Sequence, residues 1–295
     1  MTALDPGLAL LAGLLIGSFL NVCIYRLPRD LSVATPARSF CPGCEQMIAW
    51  YDNIPVLSFL LLKRRCRHCR EEIPWRYPLV ELATGGAFML CVAVFGLTLE
   101  ALKYCLFCAM MIDLIATDME VRILPDEFTL GGTLAGLALS YFVPLPIEIA
   151  NFIAPNLIGT PWLSVLESAI GAGVVSGLIW VLGWAFEKIR GREGLGLGDV
   201  KMIMMIGAFV GIKLVLLTVI LGSLLGSVIG PPLVLLLRFP VVGRWRRRHQ
   251  GSMFRAACAL VRRYELPFGS FLGLAALVVA LWGNIVTAWY DTLGT

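Results

Sequence analysis

DPGLALLAGLLIGSFLNVCIYRLPR, residues 5–29, is the stretch whose reading decides the fold. No charged side chain stands between Asp5 and Arg26. A helix needs roughly 20 apolar residues to cross the hydrocarbon of a bilayer, and this stretch supplies them. Its charge order is acidic before and basic after, with Arg26 and Arg29 following the apolar run. A cleavable signal peptide carries its basic residues first, so the segment is expected to stay in the membrane with its N-terminal end outside.

The remainder of the chain has the same character. Of 295 residues 58% are hydrophobic and 15% are charged, against about 25% charge in soluble domains. The mean hydropathy is +0.83. One soluble core could not bury so much apolar sequence. Eight spans are expected, at 7–25, 79–98, 101–117, 128–147, 163–186, 200–212, 214–237 and 268–289, with the break at Gly211–Lys213 the least marked. Glycines recur inside them (Gly171, Gly173, Gly177, Gly183, Gly222, Gly226, Gly230), as suits close helix packing in lipid.

The basic residues orient these spans. With the N-terminus outside and the spans alternating, all but Lys103 and Lys213 of the 24 Lys and Arg fall on the inner side. They sit in 26–78, after the third span (Arg122), after the fifth (Lys188, Arg190, Arg192, with Lys201 at the edge) and in 238–267. Cytoplasmic loops carry this excess, so both termini are expected outside. The net charge of +4 is thereby explained without nucleic acid, and the run Arg246–Arg248 is placed to meet anionic lipid.

Segment 26–78 is the one sizeable soluble segment. It carries Cys41-Pro-Gly-Cys44 and Cys66-Arg-His-Cys69. Two C-x-x-C pairs at this spacing fit a zinc-ribbon-like site, in which each pair forms a tight knuckle and four thiolates close one tetrahedral ion. Disulfides are the rival reading, but they are rare in the reducing compartment to which the charge rule assigns the loop. A thioredoxin-like pair would need only one C-x-x-C within a βαβ pattern. The expectation is a structural zinc on Cys41, Cys44, Cys66 and Cys69, with His68 a bystander. Cys105 and Cys108 share the spacing but lie in an apolar helix. They read as small buried hydrophobes, like Cys23, Cys91 and Cys258.

Carboxylates in membrane spans are costly and mark function by default. The candidates are Glu81, Asp113, Asp118, Glu167 and Asp199. Asp118 ends the third span and Asp199 opens the sixth, within Gly196-Leu-Gly198-Asp199, so both are expected at the inner face. Two close carboxylates do not readily ionise together, so one holds a proton while the other accepts one. That is the couple needed to activate water and polarise an amide. Asp113 is turned about 140° from Asp118 on a helix and is expected to pair elsewhere. Glu81 reads equally as a functional group or a helix-end charge, and Glu167 as a residue near the outer interface. The only histidines are His68 and His249, so a Ser-His-Asp triad or an H-E-x-x-H zinc site has no material. A carboxylate-gated transporter is the competing class; such proteins often carry an internal repeat, and none is found.

These residues resemble the type 4 prepilin leader peptidases. The resemblance rests on Gly17-Ser-Phe-Leu-Asn-Val-Cys-Ile-Tyr-Arg-Leu-Pro28, the paired C-x-x-C motifs, Tyr77-Pro-Leu-Val-Glu81-Leu82, Asp118 followed by Leu124-Pro125-Asp126, and Gly196-Leu-Gly198-Asp199. It covers nearly the whole chain. It implies cytoplasmic-side cleavage of prepilins and pseudopilins after a glycine, and N-methylation of the new N-terminus from S-adenosylmethionine. No glycine-rich dinucleotide fingerprint is present, so the methyl-donor residues stay unassigned. The organisation expected is an all-α polytopic membrane protein of about eight transmembrane helices in the bacterial inner membrane. The first helix would occupy 1–25, a cytoplasmic four-cysteine zinc domain 26–78, and a seven-helix peptidase domain 79–295.

Overall fold

The computed structural model describes residues 4–147, 149–154, 159–191, 196–249 and 267–293, with the backbone alone over 233–249 and 284–293. Among the described residues the secondary structure is helical, and two isolated β-bridges are its only strand-like pairing. The helices are α1 (Asp5–Arg26), α2 (Leu57–Leu61), α3 (Arg76–Phe95), α4 (Leu99–Val121), α5 (Asp126–Phe142), α6 (Ala150–Ile153), α7 (Thr160–Arg190), α8 (Leu197–His249) and α9 (Phe268–Leu293).

Local chemistry sets their ends. Pro6 occupies the first turn of α1, where its missing N–H costs nothing. The Thr98 side chain caps α4 by accepting from the Ala101 N–H at 3.2 Å. Asp126 and Glu127 sit in the first turn of α5, where the helix dipole favours them. In α8 the backbone at Gly211 leaves the helical region at φ 81°, which only glycine adopts readily. This kink falls at the break expected near Gly211–Lys213.

Among the described residues four helices qualify as membrane spans by length and composition: Asp5–Arg29, Arg76–Phe95, Thr160–Arg190 and Leu197–Pro232. Helix α5 stops at Phe142, short of the expected 147, because Pro144 and Pro146 follow. Helix α8 runs on to His249, where a loop from 238 was expected. An apolar run ends where the hydrocarbon ends, whereas a helix can continue into water while its hydrogen bonds do. The side chains of Arg246–Arg248, the segment 250–266 with Cys258, and Arg192 lie outside the described residues.

The helices pack as lipid-embedded helices do, through small residues. A Cβ on Gly13 of α1 would lie 2.7 Å from the Gly85 Cα of α3. A Cβ on Gly171 of α7 would lie 2.8 Å from the Gly207 carbonyl of α8. Both pairs bring backbones into direct contact. The main core is built by Phe107, Met111 and Leu114 of α4, Met202, Ile206 and Phe209 of α8, and Leu272, Ala276 and Val279 of α9. Cys91, Cys105 and Cys108 are buried in it as expected. Helices α4, α8 and α9 therefore form one packed unit whose same end carries Asp118, Asp199 and the start of α9.

Between α1 and α3 the chain forms two similar knuckles. In the first, Cys41 N–H donates to Gln46 O at 3.0 Å and Glu45 N–H to Cys41 O at 2.8 Å. In the second, Cys66 N–H donates to Glu71 O at 2.9 Å and Arg70 N–H to Cys66 O at 3.1 Å. Arg26, the last residue of α1, is buried, and its guanidinium donates to the carbonyls of Ser32, Val33, Pro36 and Arg38 at 2.8–3.1 Å. One side chain thus fastens the soluble segment to the first helix.

Candidate active site and candidate metal centre

Asp118 lies in the last turn of α4 and Asp199 in the first turn of α8. The first turn of α9 stands between them. A Cβ on Gly269 would be 3.1 Å from Asp118 Oδ2 and 3.1 Å from Asp199 Oδ1. The two carboxylate oxygens are therefore no further apart than twice that distance. Asp118 is 6% exposed, and Asp199 is half-buried. Ser270 grips Asp118: its backbone N–H donates to Oδ2 at 2.7 Å and its hydroxyl to the same oxygen at 2.8 Å. Beside the pair, Lys201 is bound by both oxygens of Asp126 at 2.7 and 2.9 Å.

Gly269 and Ser270 were not singled out by sequence reasoning. The available signal was Pro267-Phe268-Gly269-Ser270 at a helix start, and a glycine there is ordinarily read as packing. Asp113 is buried and turned away from the pair. Its Oδ2 accepts from Thr117 Oγ1 at 3.5 Å, and its Oδ1 has no hydrogen-bond partner among the described residues. Glu167 serves a local purpose: its carboxylate accepts from the N–H groups of Ile149 and Ala150 at 3.0 and 2.8 Å, at the start of α6.

The four thiols of Cys41, Cys44, Cys66 and Cys69 converge, with every Sγ within 4.8 Å of the others and Cys41 Sγ 3.7 Å from Cys69 Sγ. Thiolates around one tetrahedral zinc at about 2.3 Å stand about 3.8 Å apart, so the donor set fits that ion. All four are free thiols rather than disulfides. The Cys66 thiol is pulled down to about 7, foremost by the Cys69 N–H, while those of Cys41, Cys44 and Cys69 lie above the ordinary value, so the convergence of the four Sγ atoms rather than their titration carries the metal reading. Arg67 reaches out of the second knuckle and holds both oxygens of Asp52 at 2.6 Å. That contact keeps the Asp52 carboxyl below its ordinary range.

A cavity of about 380 Å³ separates the knuckles from α1 and α3. Phe40, Ile54 and Phe59 give it apolar wall, and Asn21, Arg76, Glu81 and Glu120 give it polar wall. Two of its groups are incompletely satisfied among the described residues: Asn21 Oδ1 and Arg76 Nε are buried without a partner. Asn21 is 2% exposed and is held by its amide N–H groups, which donate to Gly17 O and Tyr77 O at 3.2 and 3.1 Å. Glu81 accepts from the Val56 N–H at 2.7 Å, and Glu120 pairs with Arg76 and with Arg29. Glu81 is therefore a cavity-wall residue rather than a simple helix-end charge.

Fold and site together define a helical membrane protein with two carboxylates converging at one end of its bundle and a four-thiol centre beside it. The family model described as bacterial peptidase A24 N-terminal domain matches residues 11–95, and that of the type IV leader peptidase family matches residues 105–230. The chain belongs to the type IV leader peptidase family. Similar curated proteins are prepilin leader peptidase/N-methyltransferases. That of Burkholderia pseudomallei (strain 1026b) is 32% identical over 99% of this chain and 89% of its own length. That of Aeromonas hydrophila is 34% identical over 97% and 93%, and that of Myxococcus xanthus (strain DK1622) 32% over 92% and 88%. No solved structure matches. Family membership sets the transporter reading aside.

Proposed function

We propose that this chain cleaves the leader peptide of type IV prepilins and pseudopilins at the cytoplasmic face of the inner membrane, with Asp118 and Asp199 as catalytic pair, and then N-methylates the new N-terminus. The observation that carries this reading is the approach of both carboxylates to the point that a Cβ on Gly269 would occupy. A water held between them loses a proton to the ionised aspartate while its oxygen attacks the scissile carbonyl. The neutral aspartate hydrogen-bonds the carbonyl oxygen as charge builds there. When the tetrahedral adduct collapses, the C–N bond breaks and the leaving amine takes a proton from the pair. The absence of a side chain at Gly196 leaves room for an extended substrate backbone beside Asp199, whereas Gly198 packs closely on Leu124.

Zinc fits the thiol set of Cys41, Cys44, Cys66 and Cys69, and with four protein ligands its role is structural. S-adenosylmethionine, when bound, supplies an electrophilic methyl group. The cavity beneath the knuckles suits that second reaction, because its wall carries unsatisfied polar atoms and the carboxylates of Glu81 and Glu120. Glu81 orients the incoming amine and the apolar wall excludes water; the proton shed by the amine leaves at the cavity mouth. The basic inner segments support eight spans with both termini periplasmic, the lipid bilayer as solvent, no nucleic-acid partner, and the three-part division at 1–25, 26–78 and 79–295.

The test uses purified protein in detergent or vesicles. Asp118→Asn and Asp199→Asn should each abolish shortening of a prepilin. The double variant, given pilin already lacking its leader and labelled S-adenosylmethionine, should methylate it undiminished. Loss of methylation in a folded double variant would mean that the aspartates serve both reactions.

A further inference from the structure

Ser270 treats the two aspartates unequally. Asp118 Oδ2 accepts two hydrogen bonds from it, one from the backbone N–H at 2.7 Å and one from the hydroxyl at 2.8 Å. Among the described residues no donor reaches the carboxylate of Asp199. An N–H can only donate, so Oδ2 is an acceptor, and two donors on one oxygen favour its unprotonated form. The hydroxyl has one proton and two acceptors within reach, Asp118 Oδ2 and the more distant Ile115 O at 3.4 Å; the shorter contact takes it. The N–H belongs to the first turn of α9; because Asp199 itself sits in the first turn of α8 and Asp118 in the last turn of α4, helix dipoles do not favour Asp118, and the two Ser270 donors carry the difference.

We propose that Ser270 makes the pair asymmetric: it holds Asp118 as the ionised carboxylate that takes the proton from water, and so leaves Asp199 to carry the shared proton and face the scissile carbonyl. The inference rests on the peptidase reading and assigns roles within it. Donors aimed at the charged form favour that form, and a neighbouring ionised carboxylate then disfavours a second charge at Asp199. The proton count is conserved through hydrolysis. Asp118 gains the proton of water, Asp199 shares its own with the carbonyl oxygen, and on collapse Asp118 passes its proton to the leaving amine while Asp199 recovers its own. Ser270 acts through Asp118, so it is a positioning residue.

Of the surrounding charges only Arg122, four residues beyond Asp118 at the end of α4, acts in the same sense, since its positive charge favours an ionised Asp118; Asp113 is turned away with Thr117. On α8, Lys201 is held by Asp126 of α5. Arg76 of α3 and Arg29, just beyond α1, are both engaged by Glu120. The stretch Phe268–Gly283 of α9 contains no ionisable side chain.

Two measurements test the proposal. The first is the pH profile of prepilin cleavage for Ser270→Ala and Ser270→Thr, with methylation of pre-cleaved pilin as proof of folding. Losing one of the two donors should move the acid-side limb of kcat/KM up by about one pH unit and slow cleavage about tenfold at acid pH. Threonine, which keeps the hydroxyl, should restore the limb. A Ser270→Ala profile that superimposes on that of the unaltered protein would overturn the inference, as would a threonine variant that behaves like alanine. The second is the affinity for a prepilin peptide carrying a hydroxyethylene in place of the scissile amide. Asparagine mimics a neutral carboxyl, so Asp199→Asn should bind within about tenfold of the unaltered protein while Asp118→Asn loses about a hundredfold. Equal or reversed losses would overturn the assignment of roles. Full cleavage by both asparagine variants is a different result, and it would remove the peptidase reading itself along with this inference.

Discussion

Asp113 and Asp118 share one helix and one chemistry, yet only Asp118 reaches the first turn of α9. Their five-residue separation made that legible, because helical geometry turns them apart. Asp113→Asn should therefore retain most cleavage, measured as initial rate on prepilin. Gly269 was not legible in the same way. A glycine at a helix start has many ordinary explanations, and its importance depends on two aspartates distant in sequence. In the structure a methyl group there would press against both carboxylates at 3.1 Å, which is tighter than ordinary van der Waals contact. Gly269→Ala should cut cleavage at least a hundredfold by displacing one carboxylate or the water between them. Circular dichroism and retained methylation would show the protein still folded. Unimpaired cleavage by this variant would mean that the pair opens during turnover.

At the scale of elements, the cysteine knuckles were the most legible feature, because C-x-x-C dictates its own turn and two such turns need a common ion. On the proposed zinc reading, treatment with a chelator should strip the metal and open 30–75 to protease, since four thiolates closed on one ion would hold so small a segment. Resistance that survives metal removal would assign the stability to Arg26 instead. The Asp52–Arg67 contact adds a pH dependence of known sign. Asp52 titrates below its unfolded value of about 3.9. Its contribution is thus present above that value and lost as pH falls through the lowered one. Carboxyl-detected NMR should find Asp52 titrating below its ordinary range, and returning toward it in Arg67→Ala. Helix ends were less legible. Hydropathy reports where hydrocarbon lies, so it missed the continuation of α8 to His249 and the early end of α5 at the prolines.

For the molecule as a whole, the cavity beneath the knuckles could not be read from sequence, since its walls come from α1, α3 and the loop between them. Asn21 is one polar residue within an apolar run, and its buried oxygen, without a partner among the described residues, marks it as a wall group. Asn21→Leu and Glu81→Gln should lose methylation at least tenfold while cleaving prepilin at the normal rate. Parallel loss of both activities would assign these residues to bracing the fold. The link between Ser270 and Asp118 has a further consequence, because it joins residues 152 positions apart in the chain. A ribosome finishes Asp118 and Asp199 well before it finishes the turn that organises them. While the chain is being made, both aspartates precede the serine proposed to set their roles. On those proposed roles, a chain whose synthesis stops short of Ser270 should not cleave prepilin.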